Sequence, residues 1–203
     1  MPACRDIVMR PAAASLFFAL LAVAAALLVL AVPATALAAR LSGPGRRAHA
    51  WLAATLHDGG LALAWLAAVI ATLGSLYYSE IVGFTPCRLC WYQRIAMYPL
   101  AVILGVAVLT GDRGVRRYVL PVAGTGAAIS AYHYLLQWFP SLETGSCAVD
   151  APCAAFYVRA FGFVSIPFMA LSAFALIATA VWAADRADAN PTRIGANQKE
   201  RVP

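Results

Sequence analysis

Cys87 and Cys90 stand three positions apart in the run Pro86-Cys87-Arg88-Leu89-Cys90-Trp91-Tyr92-Gln93-Arg94, where one long apolar stretch gives way to the next. Two thiols at that spacing can exchange disulfides, hold half a zinc site, form a structural disulfide, or simply pack. Read as the opening of a helix, the run puts Thr85 at the N-cap and Pro86 at the first helical position, where its missing N–H is no loss. Cys87, Cys90 and Arg94 then fall within about 60° of one another on one face, at ~100° per residue. The helix N-terminus and the guanidinium both favour thiolate over thiol, and the thiolate is the reactive form. The pattern points to thiol–disulfide chemistry at a membrane surface.

A second pair, Cys147 and Cys153, lies between Pro140 and Arg159, a stretch that Gly145, Asp150 and Pro152 mark as a turn-rich loop. A pair in an exposed, mobile loop is one that a partner's thiol can reach; a fixed disulfide that staples the loop is the other use. His133 and Gln137 lie one turn apart on the preceding apolar stretch, at about the depth of the first pair. Polar groups at membrane depth are functional candidates, or else hydrogen-bond helix to helix. Cys4 has no neighbour in sequence to pair with.

The elements that must position these groups are membrane helices. The chain has 203 residues, of which 63% are hydrophobic and 12% charged, and a mean hydropathy of +0.76. That is too apolar for a water-soluble domain and predicts an all-α polytopic membrane protein. Charge-free stretches run over 11–39, 59–79, 95–111, 118–142 and 160–184. A span takes about 20 residues, so the 95–111 stretch must begin upstream, near Pro86, with Arg94 reaching the interface. The net charge of +6 does not point to nucleic acid, because the basic residues sit between the apolar stretches and in the tail. Ten of them fall in the expected loops 40–58 and 112–117 and in the tail from Asp185, against three in 80–94 and 143–159. The positive-inside rule then makes the first group cytoplasmic and leaves both cysteine pairs outside, where disulfides form and persist. The 11–39 stretch also resembles a signal peptide. Cleavage would reverse the following helices against the charge pattern, so a retained extra helix is expected.

The residues Cys87 to Arg94, continued by Ile95-Ala96-Met97-Tyr98-Pro99-Leu100, resemble the signature of the DsbB/BdbC family of disulfide bond formation proteins, closest to its BdbC branch. His133-Tyr134-Leu135-Leu136-Gln137, the pair 147/153 and Phe161-Gly162-Phe163-Val164-Ser165-Ile166-Pro167 are similar to that branch in type and order. The resemblance covers about residues 60–183. It implies a four-helix transmembrane bundle over 58–184; outside it the expected domains are 1–57, an N-terminal extension with one more apolar helix and a basic cytoplasmic loop, and 185–203, a basic polar cytoplasmic tail. It also implies a quinone-dependent oxidase of the cell membrane. Such an enzyme reoxidises an extracytoplasmic thioredoxin-like dithiol protein of the DsbA or BdbD kind and passes the electrons to menaquinone or ubiquinone. By the same resemblance Cys147–Cys153 exchanges with the partner through Cys147. Cys87–Cys90 reoxidises that pair, Cys90 engages the quinone, and Arg94, His133 and Gln137 belong to the quinone site. The short spacing of 147 and 153 departs from DsbB itself. Two other readings share the cysteines: a four-thiolate zinc site in a non-enzymatic membrane protein, and a quinone-linked enzyme of the vitamin K epoxide reductase type. The order of the two pairs argues against the latter.

Overall fold

The computed structural model describes residues 3–143, 147 and 152–186, with side chains from residue 12 to residue 184. Five helices follow in order: α1 (Ala3–Leu41), α2 (Gly43–Leu76), α3 (Arg88–Thr110), α4 (Arg116–Trp138) and α5 (Ile166–Arg186). Each contains a segment long and apolar enough to cross a bilayer, and no strand occurs among the described residues. The protein is an all-α, multi-pass membrane protein. Helices α2, α3, α4 and α5 pack in a ring, each on the next, and α1 lies outside it against α2 and α5.

Short caps set the turns. Ser42 ends α1 and caps α2, its hydroxyl accepting from the Gly45 N–H, with Pro44 in the first turn. A Cβ at Gly45 would come 2.3 Å from the Ala38 carbonyl oxygen, so glycine permits the two helices to meet there. Residues 40–58, expected as a loop, are therefore mostly the opening turns of α2. At 1.5 Å per residue α2 exceeds the roughly 30 Å hydrocarbon core, so its Arg46 and Arg47 turn can stand in water. Gly111 closes α3 with φ 67°, and Asp112 accepts from the Gly114 N–H to start the tight turn into α4.

Two expected boundaries move. Helix α3 starts at Arg88, with Cys87 rather than Thr85 as its cap. Helix α5 starts at Ile166, because Ala160 and Val164 pair across a turn in which Phe161 and Gly162 both have positive φ. Gly145, Asp150 and the tail from residue 187 lie outside the described residues.

The core is small-to-large packing. Leu100, Leu104, Val119, Ala123, Phe174 and Ile177 are buried together in the ring. Gly60 lets α2 approach the Ala180 carbonyl of α5, where a Cβ would stand 2.7 Å from that oxygen. Gly126 receives the Phe174 ring, which a Cβ would meet at 2.3 Å. Close backbone approach through small residues is how membrane helices gain contact where lipid and side chain are equally apolar.

Replacing Gly126 with Leu should therefore overpack the α4–α5 contact and cost about 1–3 kcal/mol. Gly124, with open space at its Cβ position, should accept Leu within about 0.5 kcal/mol. Thermal unfolding of both variants in detergent checks this; equal midpoints would contradict the packing.

Candidate functional site

Both cysteine pairs lie at one end of the ring, and α1 begins at that end, since Tyr78 donates a hydrogen bond to Ser15. The other end carries the basic turns, where Arg113 donates to the Ala184 carbonyl and meets the His57 ring. The chain reaches the cysteine end from α2 through a wide turn at Tyr77–Ile81, and Gly83, at φ 81°, redirects it toward Cys87.

Cys87 caps α3 with an extended backbone (φ −71°, ψ 171°), its sulfur accepting from the Cys90 N–H. The 100° rule does not govern a cap residue, so Cys87 leaves the face that Cys90 and Arg94 share. It turns instead toward α4 and the 143–165 connection and is 2% exposed. Its sulfur lies 2.7 Å from that of Cys90 and 3.7 Å from His133 Nε2. Two thiolates on one tetrahedral zinc would stand about 3.8 Å apart, given Zn–S bonds of ~2.3 Å. The closer approach here suits sulfurs that bond to each other.

His133 joins three elements. Gln93 Nε2 on α3 donates to His133 Nδ1 at 3.1 Å, which leaves the ring proton on Nε2. That N–H faces both the Cys153 carbonyl, at 3.1 Å, and the Cys87 sulfur. Cys147 and Cys153 form a disulfide, with Cα atoms 5.8 Å apart. Cys153 is fully buried and packs with Cys87, Leu89 and Leu136, and with Cys90 and Cys147 at the margin. The two pairs, Cys90 and Cys147 being 57 positions apart in sequence, are thus one cluster. Cys87 stands one residue ahead of the span Arg88–Thr110. The Cys90 thiol, donating to its sulfur, lowers its pKa to about 4, with His133 assisting and burial opposing.

Gln137 does different work. Its Oε1 accepts from Ser165 and its Nε2 donates to the Ala155 carbonyl, so it fastens the returning connection to α4. Burial raises the pKa of Tyr157, on that same connection.

On the other side of Cys90 a cavity of about 420 Å³ runs between the helices. Cys90, Gln93, Arg94 and Tyr98 of α3 line it at the cysteine end, with Tyr157. Arg94 is aimed by α2: its Nε donates to the Ser75 hydroxyl at 2.9 Å and its Nη2 to the Ser75 carbonyl at 3.0 Å. Tyr98 also donates to Ser75, and Arg94 stacks over Trp91. His133 and Gln137 are not among the lining residues. Gln93, Ser75 and Tyr157 were not evident in the sequence. A lone Gly74-Ser75 in an apolar stretch was the available sign for Ser75, and a glutamine one turn from a cysteine was the sign for Gln93.

The chain resembles known proteins in sequence. The family model described as disulfide bond formation protein DsbB matches residues 57–184. Disulfide bond formation protein C of Bacillus subtilis (strain 168) is 55% identical over 114 residues, which cover 56% of this chain and 83% of that relative. The probable disulfide formation protein of Deinococcus radiodurans is 56% identical over 97 residues, 48% of this chain and 63% of that relative. No solved structure matches the chain. With two cysteine pairs in contact at one end of a membrane-spanning ring of helices, and a family match over most of that ring, the chain belongs to the DsbB family of disulfide bond formation proteins and is a membrane disulfide oxidoreductase.

Proposed function

We propose that the protein reoxidises an extracytoplasmic thioredoxin-like dithiol protein, with a membrane quinone as final acceptor. The observation that carries this reading is the position of the first pair between two environments: Cys87 against the second pair, Cys90 on the cavity. The arginines of the opposite end, Arg40, Arg46, Arg47, Arg113, Arg116 and Arg117, support an extracytoplasmic cysteine end.

Exchange proceeds by thiolate attack on a disulfide sulfur. A partner thiolate attacks Cys147, the more accessible sulfur of its pair, and Cys153 leaves as thiolate. Cys153 attacks Cys87 of the oxidised Cys87–Cys90 pair, and Cys90 leaves as thiolate toward the cavity. The partner's second thiolate displaces Cys147 and departs as a disulfide. Cys147 then attacks Cys153 and expels Cys87. The outer pair is again a disulfide, the inner pair holds two electrons, and the partner has lost two electrons and two protons. A low Cys87 pKa makes Cys87 a good leaving group in the last exchange. His133 Nε2–H stabilises the charge on that sulfur.

The cavity fits a lipid-soluble quinone, being apolar along its body and polar only beside Cys90, Arg94, Tyr98 and Tyr157. A bound quinone supplies the two-electron acceptor. Arg94, held by Ser75, orients a polar head and stabilises negative charge at that mouth. Met97, Ala170 and Phe174 line the apolar part of the cavity.

The test is oxidation of a reduced thioredoxin-like protein by the purified chain with ubiquinone or menaquinone analogues. Cys90→Ser should abolish quinone-dependent turnover and still form the Cys147–Cys153 disulfide. Turnover by that variant would contradict the assignment. In a variant lacking Cys147 and Cys153, thiolate absorbance of the reduced inner pair should persist as pH falls and disappear only near 4, because the lowered pKa keeps Cys87 ionised above that value. His133→Ala removes one cause of the lowering and should move the midpoint upward. In the variant lacking Cys147 and Cys153 with His133 intact, a midpoint in the ordinary thiol range, about 8.5, would contradict the proposed environment.

A further inference from the structure

Helix α1 lies outside the region matched by the family, which begins at residue 57. It is nevertheless built into the cavity. Phe18, Leu21, Ala22, Ala24, Ala25 and Leu28 of α1 line it, facing Leu66, Ile70 and Gly74 of α2 and Met169 and Ala173 of α5. The helix is fastened on both sides of this wall. At the cysteine end Ser15 accepts from Tyr78, and the Phe18 ring lies against Gly74 and Tyr78. At the other end the Ser42 turn and the contact of Gly45 with Ala38 fix the hairpin, and Thr35 meets His49. Ala19 and Ala22 are buried between these anchors. Small residues at 22, 24 and 25 keep the space open where larger ones would close it.

The shape of the cavity says what it takes. Its polar lining, from Ser75 and Tyr78 to Cys90, Arg94 and Tyr157, is confined to the cysteine end. Below that the lining is alanine, leucine, isoleucine, methionine and phenylalanine. Ser75 and Leu63, both on the cavity, stand about 18 Å apart along α2 at 1.5 Å per residue. Such a space suits an amphiphile with a compact polar head at the redox end and a long apolar tail. The geometry points to α1 as the wall of a tail channel: the extra helix binds the isoprenoid tail of the quinone and makes the site selective for tailed over tail-less acceptors. This rests on the quinone reading above and adds a role for α1 to it.

Two measurements on the full chain in detergent test it. The first is photo-crosslinking with a quinone carrying a diazirine in its tail, the adducts mapped by peptide mass spectrometry. Adducts on residues 18–28 that an unlabelled tailed quinone competes away support the inference. Adducts confined to α2–α5 overturn it, and so does labelling of 18–28 that only phospholipid competes away, which would make the occupant an acyl chain. The second compares Ala25→Phe, which fills the channel, with Leu27→Phe, on an exposed position outside it. Ala25→Phe should lower the adduct yield and raise KM for the tailed quinone about tenfold, while a tail-less quinone changes less than about twofold and Leu27→Phe behaves as wild type. Equal effects of Ala25→Phe on both quinones, or none on either, overturn the role of α1 while leaving the quinone reading intact. Failure of the wild type to use any quinone removes both.

Discussion

His133 donates from Nε2 into a space shared by the Cys153 carbonyl and the Cys87 sulfur, while Gln93 fixes its tautomer from behind. That one imidazole ties α3, α4 and the disulfide-bearing connection into a buried cluster. A thiolate exchanges only with a sulfur it can touch, so a relay between two pairs depends on such contact. The rest of the fold serves it. Gln137 secures the returning chain through Ser165 and Ala155, and the aromatic stack of Tyr78, Phe84 and Tyr157 closes the cluster from the α2 side.

The same cluster separates the two chemistries of the first pair. Placing Cys87 at the cap, outside the helix proper, lets it look one way while Cys90, inside the first turn, looks the other. A helix with both cysteines inside it would have put them on one face and given both the same neighbour. The two-residue spacer is what makes this possible, since it lets the cap sulfur fold back on the Cys90 N–H and still contact the Cys90 sulfur. On the cavity side the membrane sets the terms. Arg94 is tolerable there because Ser75 accepts two of its hydrogen bonds and Trp91 covers its face.

Helix count, fold class and family were legible, because hydropathy runs and an extended cysteine motif are properties of the chain itself. The boundary at Cys87 was not. Thr85 and Pro86 are good opening residues by local preference, but here the cap is made by a thiol, which propensity rules do not weigh. Residues 40–58 read as a loop because of their arginines and glycines, whereas contact with α1 through Gly45 carries the helix through them. His133 and Gln137 were recognisable as polar residues at membrane depth. Periodicity put them on one face but could not say which neighbour that face meets. Ser75 and Gln93 act through contacts between helices, and a single sequence does not display those.

The central claim is that Cys153 and Cys87 are the sulfurs through which the two pairs communicate. In a Cys90→Ser/Cys147→Ser variant the remaining sulfurs can pair only with each other or with Cys4. Mass spectrometry of the non-reduced peptides from that protein, after mild oxidation, should find a Cys87–Cys153 disulfide as the main product. It should exceed the Cys87–Cys147 bond formed in a Cys90→Ser/Cys153→Ser variant under the same conditions. Free thiols at 87 and 153, or the reverse preference, would contradict the account.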